Sequence, residues 1–286
     1  MKGTCFGLAI VALSTAAAAQ ELPARWDELT ASDWPKALER SAATCILPIG
    51  ILEKHGPHAP LGSDLIHVRE WSARATRKEY AVVFPDYFYG QIYEALHQPG
   101  TFALPPRVVW DMLEATCDEI GRNGFKKIVI VNGHGGNPNL LRYFVQTRLS
   151  QPRDYVVYFF DPAPNPALDE EVKKLRKSDP AGDMHAGERE TSTLLYLRPD
   201  LVQMDRATAE SGANQKRLML PDLYTAIWWY AGFPNHYAGE GAKATAELGR
   251  VLTEARIDAL ARALKAVKAD PSAPALQKEF FDRVKR

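Results

Sequence analysis

The chain has 286 residues, 35 Lys and Arg against 35 Asp and Glu, 46% hydrophobic residues and 24% charged ones. That composition excludes a disordered chain and a disulfide-rich mini-domain, and the balanced charge gives no electrostatic case for nucleic acid or an anionic membrane as partner. A chain of this length can bury a large core without disulfides or a structural metal, so a metal here is expected to be catalytic.

The N-terminus reads as a targeting segment. Lys2 is the only charge before Glu21, an apolar stretch runs from Phe6 to Leu13, and small residues lead to Ala17-Ala18-Ala19-Gln20. This pattern predicts a signal peptide over residues 1–19, a periplasmic or secreted location, and a single domain over residues 20–286. No other apolar run is long enough to cross a membrane, so no membrane contact is expected after cleavage. Cys5 leaves with the signal, and Cys45 and Cys117 are expected as two separately buried thiols.

Strand and helix patterns then alternate. Thr44 to Gly50 is a short apolar run with strand character, and Leu65 to Tyr80 has helical spacing. Ala81 to Phe84 is a second strand candidate. Val108 to Gly124 carries apolar residues at Val109, Met112, Leu113, Cys117 and Ile120, one face of a helix that Asn123-Gly124 stops. Lys127 to Asn132 is the clearest strand. A helix over Leu140–Leu149, a strand over Tyr155–Phe160, a helix over Thr191–Leu197 and a long helix over Thr245–Ala269 follow, the last broken by Pro271. Residues 161–184 and 205–222 read as the loosest parts, with a long active-site loop among them. Such alternation predicts an α/β fold with a mostly parallel sheet covered by helices on both faces.

Polar residues able to do chemistry collect where strands end. The first cluster is Glu53-Lys54-His55-Gly56-Pro57-His58, reaching Asp64. Glu53 and His55 are two apart and project to one side of extended chain. The second is Asn132-Gly133-His134-Gly135-Gly136-Asn137, and the third runs from Asp183 through His185, Glu188 and Glu190 to Ser192. In open α/β sheets, loops after the carboxyl ends of strands form the ligand crevice. Carboxylates and imidazoles together are the ligand set of zinc, manganese or iron(II). His67, on a helix and outside the clusters, reads as a core or surface histidine. His97 and His236 lie in loops and are minor candidates for substrate contact. Trp228, Trp229, Tyr230 and Tyr237 are core or pocket aromatics.

These three motifs, in this order, resemble the creatininase (creatinine amidohydrolase) family. The resemblance spans about residues 43 to 200, with weaker matches at Pro99-Gly100-Thr101 and Ala244 to Gly249. It implies a flavodoxin-like α/β fold, a site for two divalent metal ions (zinc first, with manganese or iron as alternatives) and a homo-oligomer, usually a hexamer. Glu53, His55, Asp64 and His134 match metal ligands of the family, with Asp64 the bridging carboxylate. Creatininase itself has a glutamate two residues after the histidine, where this chain has Gly136. The last carboxylate is then expected from the third motif: Glu190, with Glu188 as the competing choice and, beside His185, a catalytic candidate, because helical spacing puts it on the face of His185. His185 matches a histidine that acts on substrate, as general acid toward the departing nitrogen. Backbone N–H groups of Gly135 and Gly136 are candidates to hold the oxyanion, and Glu94 is the one matching residue of the family's substrate stretch. Ile92 and Ala95 replace its usual Ser and His, which argues against creatinine.

The expected activity is a metal-dependent amidohydrolase that cleaves a C–N bond of a small cyclic or linear amide through a metal-bridging hydroxide. Three carboxylates against two divalent ions leave one positive charge for that hydroxide. The alternative is a non-catalytic, metal-holding member of the fold acting as a binding or scaffold protein. The intact ligand set favours the hydrolase.

Overall fold

A computed structural model describes residues 21–284, so the expected signal peptide lies outside the described residues. In chain order the main elements are α1 (Trp34–Arg40), β1 (Thr44–Ile49), α2 (Ser63–Lys78), β2 (Val82–Val83), α3 (Pro106–Arg122), β3 (Lys127–Asn132), α4 (Pro138–Thr147), β4 (Val156–Phe159), α5 (Pro166–Leu175), α6 (Glu188–Leu197), α7 (Trp228–Gly232), α8 (Ala246–Ala269) and α9 (Ser272–Val284). The sheet order is β2-β1-β3-β4, and every pairing is parallel.

Register follows from which faces are apolar. Ile46 pairs with Val129 and Pro48 with Val131. Ile46, Val129 and Val131 point to one face and pack with Val68 and Trp71 of α2 and Ile257, Leu260 and Leu264 of α8. Cys45, Leu47, Ile49, Ile128 and Ile130 point to the other, against Leu113, Cys117 and Ile120 of α3 and Leu141 and Phe144 of α4. A sheet buried on both sides needs strands that are apolar throughout, and β1 is buried at all six positions. Cys45 and Cys117 are both free, buried thiols.

A proline in a central strand is normally excluded, because it cannot donate to the ladder. Pro48 is tolerated because β2 is only two residues long. Phe84 N–H donates to Ile46 O and Gly50 N–H to Tyr87 O, so Pro48 faces the gap between these two bonds.

Three departures from the sequence reading have local causes. Residues 161–184, read as loose, contain α5, which starts at Pro166 behind an Asn165 side chain that accepts from Leu168 N–H. Pro271 does end α8, but Asp270 accepts from the N–H groups of Ser272 and Ala273 and starts α9. The third motif is helical from Glu188, three residues earlier than the apolar pattern suggested. Among the described residues no helix is long and apolar enough to cross a membrane.

Candidate active site

Reversal of chain order between β1 and β3 opens a crevice at their carboxyl ends, the switch point of a doubly wound sheet. The first two motifs leave the sheet there. A Cβ at Gly50 would lie 2.7 Å from Leu65 Cα, so only glycine lets the first turn of α2 approach the end of β1. That approach brings Asp64 beside Glu53 and His55. His134 follows β3 on a loop braced by asparagines. Asn132 Nδ2 donates to His134 O at 2.6 Å, and His134 N–H donates to Asn132 Oδ1 at 3.2 Å. Asn137 Oδ1 in turn accepts from Gln91 N–H at 3.0 Å.

Glu53 and His55 are 0% exposed and Asp64 is 1%. Burying two carboxylates together is costly without compensating cations. His134 Nδ1 stands 2.7 Å from Glu53 Oε1 and 3.2 Å from Asp64 Oδ2. His134 Nε2–H donates to Gln91 O at 2.9 Å, so the neutral ring has its lone pair on Nδ1, facing both oxygens. Neither of those oxygens has a hydrogen-bond donor. His55 repeats the pattern: Nδ1–H donates to Glu53 O at 3.2 Å, and Nε2 faces Asp64 Oδ1 at 3.2 Å. Lone pairs set against carboxylate oxygens repel unless a proton or a metal cation lies between them. With no metal, the ring takes the proton. Burial alone would depress His55, but Asp64 and Glu53 raise it to about 9. His134 is driven well above the usual imidazole range by the same carboxylates, against its burial. Burial opposes ionisation of Glu53, and the protonated His134 imidazole against it reverses that and holds its carboxyl well below the usual range. The donor chemistry therefore fits a divalent cation.

Two sets of ligand atoms each lie within 4.8 Å of one another: Glu53, Asp64 and His134, and Glu53, His55 and His185. Glu190 belongs to neither. It sits at the rim, with Oε2 accepting from Ala186 N–H at 2.6 Å and 3.8 Å from His185 Nδ1. Glu188 lies elsewhere. Its buried carboxylate accepts from Lys177 N–H at 2.9 Å and from Ser178 N–H at 2.6 Å, which ties down the turn after α5. A catalytic part for Glu188 is therefore set aside, because its oxygens are spent on backbone donors. His185 Nε2–H donates to Lys54 O at 2.8 Å, leaving the Nδ1 lone pair toward Glu190. Burial keeps His185 below the ordinary imidazole value, hence neutral.

Gly135 lines the crevice, and nothing lies within 4 Å of a Cβ built there. Gly136 is enclosed instead: a side chain there would collide with the His134 ring and with Gln91. Glu94 accepts from the Gln91 side chain beside it. His58 is buried behind the site on Thr191 Oγ1 at 2.8 Å, and His97 donates to Pro234 O.

The residue that sequence reasoning underrated is His236. Trp229 Nε1–H donates to His236 Nδ1 at 2.8 Å, which puts the proton on Nε2, and Nε2–H donates to Glu53 Oε2 at 2.5 Å. This chain fixes one oxygen of Glu53 and leaves Oε1 open. His236 holds φ 53, a strained value for a non-glycine residue, and so does Ala186 (φ 55). Both flank the short antiparallel bridge between His185 and Ala238. A strained histidine in a loop was the one sequence-invisible clue.

The profile of a protein family described as creatinine amidohydrolase matches residues 27–264. A mycofactocin precursor peptide peptidase of Mycolicibacterium smegmatis is 33% identical over 185 residues, 61% of this chain and 66% of that one. The creatinine amidohydrolase of Pseudomonas putida is 27% identical over 197 residues, 63% of this chain and 74% of the other. A solved creatininase of zinc–zinc type superposes with a TM-score of 0.70 at 21% identity, over 87% of this chain and 99% of that one.

Proposed function

The chain belongs to the creatininase family of metal-dependent amidohydrolases, and on that premise we propose that it cleaves the C–N bond of an amide larger than creatinine, with two divalent ions, zinc first, held at the switch point. The observation that carries this reading is the pair of buried, donorless oxygens, Glu53 Oε1 and Asp64 Oδ2, facing the lone pair of His134. Glu53, Asp64 and His134 would hold one ion; His55 and the other oxygen of Asp64 would hold the second, with Glu190 joining them only after its carboxylate turns inward from Ala186 N–H at the rim. When bound, such ions lower the pKa of water and polarise a carbonyl.

The chain's own groups supply the rest. His185, neutral and with Nδ1 open, can take a proton and return it to the departing nitrogen. His236 keeps Glu53 in one orientation throughout. Gly135 leaves room for the acyl carbon to approach the backbone, and Glu94, held by the Gln91 side chain next to Gly136, is kept as the candidate substrate contact of that stretch. A cavity of about 1080 Å³ opens from His134, His185 and Glu190, just above the usual range for small-molecule sites. The size of this cavity supports a substrate longer than a single small ring.

Export through residues 1–19 belongs to the same proposal, as does a homo-oligomer, a hexamer by family resemblance. An exposed apolar stretch supports the oligomer: Met219 is 78% exposed, Leu223 71% and Tyr224 83%. Elemental analysis of purified protein should find two divalent ions per chain. A screen of lactams, cyclic ureas, formamides and N-acyl amino acids should then find one hydrolysed class that chelation abolishes. A metal-free protein inert after reconstitution with zinc and manganese would return the reading to a non-catalytic binding protein.

A further inference from the structure

The first motif carries a histidine that the metal site leaves unused. His58 is buried, its Nδ1 has no hydrogen-bond partner, and its Nε2 lies 2.8 Å from Thr191 Oγ1. Burial pushes the ring down to about 4, so it is neutral and carries one hydrogen. Thr191 has one hydroxyl hydrogen and donates it to Ala186 O at 3.0 Å. The hydrogen count then fixes the direction: His58 Nε2–H donates to Thr191, and Thr191 donates to Ala186. A Cβ at Gly241 would stand 2.5 Å from His58 Nε2 and 3.0 Å from Ala186 O, so glycine at that position leaves room for this chain.

The residue at the end of the chain is strained. Ala186 keeps φ 55, a left-handed value that a Cβ disfavours. The helix that follows, α6, starts behind Gly187, which offers no capping side chain. Both backbone polar groups of Ala186 are engaged instead: its N–H holds Glu190 Oε2 at 2.6 Å, and its carbonyl takes the Thr191 hydroxyl. The residue before it is His185, whose Nε2–H donates to Lys54 O at 2.8 Å and whose Nδ1 faces Glu190. Relaxation of Ala186 to a negative φ would swing the His185 ring away from Lys54 O. Strain of this kind persists only where the surroundings over-determine it. Here they are the bridge between His185 and Ala238 on one side and the hydroxyl held by His58 on the other.

We propose that His58 is a positioning residue: through Thr191 it clamps the left-handed Ala186 and so aims the His185 imidazole at the departing nitrogen. His58 itself touches no reacting atom. The part of His185 in proton transfer rests on the hydrolase reading, but the clamp can be seen without turnover.

The experiment compares crystal structures of zinc-reconstituted Thr191→Val, which keeps the shape and loses the hydroxyl, and Thr191→Ser, which keeps the hydroxyl. In Thr191→Val, Ala186 is expected to leave the left-handed region and His185 Nε2 to leave Lys54 O; in Thr191→Ser both should stay as in the parent chain. His58→Leu should reproduce the valine result. His58→Gln, whose amide N–H can replace Nε2–H, should reproduce the serine result. The isosteric Thr191→Val keeps the test valid should His58→Leu fold poorly. All four variants should hold as much zinc as the parent by elemental analysis. Turnover is read with N-acetyl-L-phenylalanine p-nitroanilide and the plain anilide, a good and a poor leaving group. Thr191→Val should lower kcat about 10–100-fold with KM little changed, and more for the anilide, because a misplaced acid matters most where protonation is most needed. In a His185→Ala background the same substitution should cost nothing further. An unmoved Ala186 and His185 in Thr191→Val, a serine variant displaced as far as the valine one, loss of zinc, or a full additional loss of kcat on top of His185→Ala would overturn the clamp. If the parent hydrolyses neither anilide while Thr191→Val moves and Thr191→Ser does not, the clamp stands and the hydrolase reading fails for such amides.

Discussion

Two regions bury carboxylates completely, and they teach opposite lessons. At the switch point, Glu53 and Asp64 each keep an oxygen without a donor. At the start of α6, Glu188 is just as buried, yet both of its oxygens accept backbone N–H groups of Lys177 and Ser178. The first arrangement is completed only by a proton on His134 or by a cation between the ring and the two oxygens. The second is complete and calls for nothing. Burial of an acid therefore does not mark a site; burial with unspent lone pairs does.

The sharpest break of this comparison is Asp64→Ala. One carboxylate is asked to serve both ions, so both should be lost, and activity with them. Two tightly bound metals in that variant by elemental analysis would remove Asp64 from the bridging position.

Next in size is His185→Ala. The ring contributes a proton path and is not needed for the Glu53, Asp64 and His134 set, so metals should remain while turnover drops ~10²–10⁴-fold. A substrate with a good leaving group should lose less than a poor one. Equal losses, or loss of metal, would make His185 a ligand or a mere spacer.

His236→Ala tests whether orientation of Glu53 matters. Removing its hydrogen-bonding partner should weaken metal affinity about 10–100-fold, as for other groups that orient ligands, with Trp229→Phe milder in the same direction. Unchanged affinity measured against a competing chelator would show that Glu53 is held by packing alone.

Glu190→Gln and Glu188→Gln pose the comparison directly. Glu190→Gln should lose at least ~10-fold in metal affinity. Glu188→Gln should keep its metals and lose stability instead, by about 1.5–3 kcal/mol, because charge-assisted bonds to backbone donors are weakened. Chemical denaturation and chelator competition on both variants give the answer, and an exchange of the two outcomes would reverse the assignment.

The smallest effect concerns acid. His58 and His67 are both lowered by burial to about 4, against about 6.5 in the unfolded chain. Below pH 6.5 the unfolded chain therefore binds protons that the native one does not. The stability these groups allow is complete above pH 6.5 and falls as pH drops toward 4. The urea midpoint should decline over that window, and His58→Gln should flatten part of the decline. An unaltered slope would mean that His58 already titrates in the native state.

Much of the site is legible in the chain because three short motifs each carry their own local geometry. Glu53 and His55 sit on one extended segment, His134 on a glycine-rich turn after the most β-branched strand, and His185 and Glu190 on a helix start. What the motifs leave open is decided by partners far away in sequence. Glu188 and Glu190 are two residues apart on one helix, and only the arrival of the Lys177–Ser178 backbone separates them. His236 reaches Glu53 across 183 positions, with nothing beside it to mark it.

The sequence by itself determined the alternation of strands and helices, the burial of both sheet faces and the position of the three polar loops after strand ends. These follow from hydrophobic periodicity and from glycine and proline placement, which act within a few residues. Only the tertiary structure decided which carboxylate oxygens stay unpaired, which histidine orients Glu53, and that His58 spends its one N–H on Thr191, 133 positions away in sequence. Hydrogen-bond satisfaction is a property of the packed whole: each donor and acceptor is spent or left over only once every neighbour is in place.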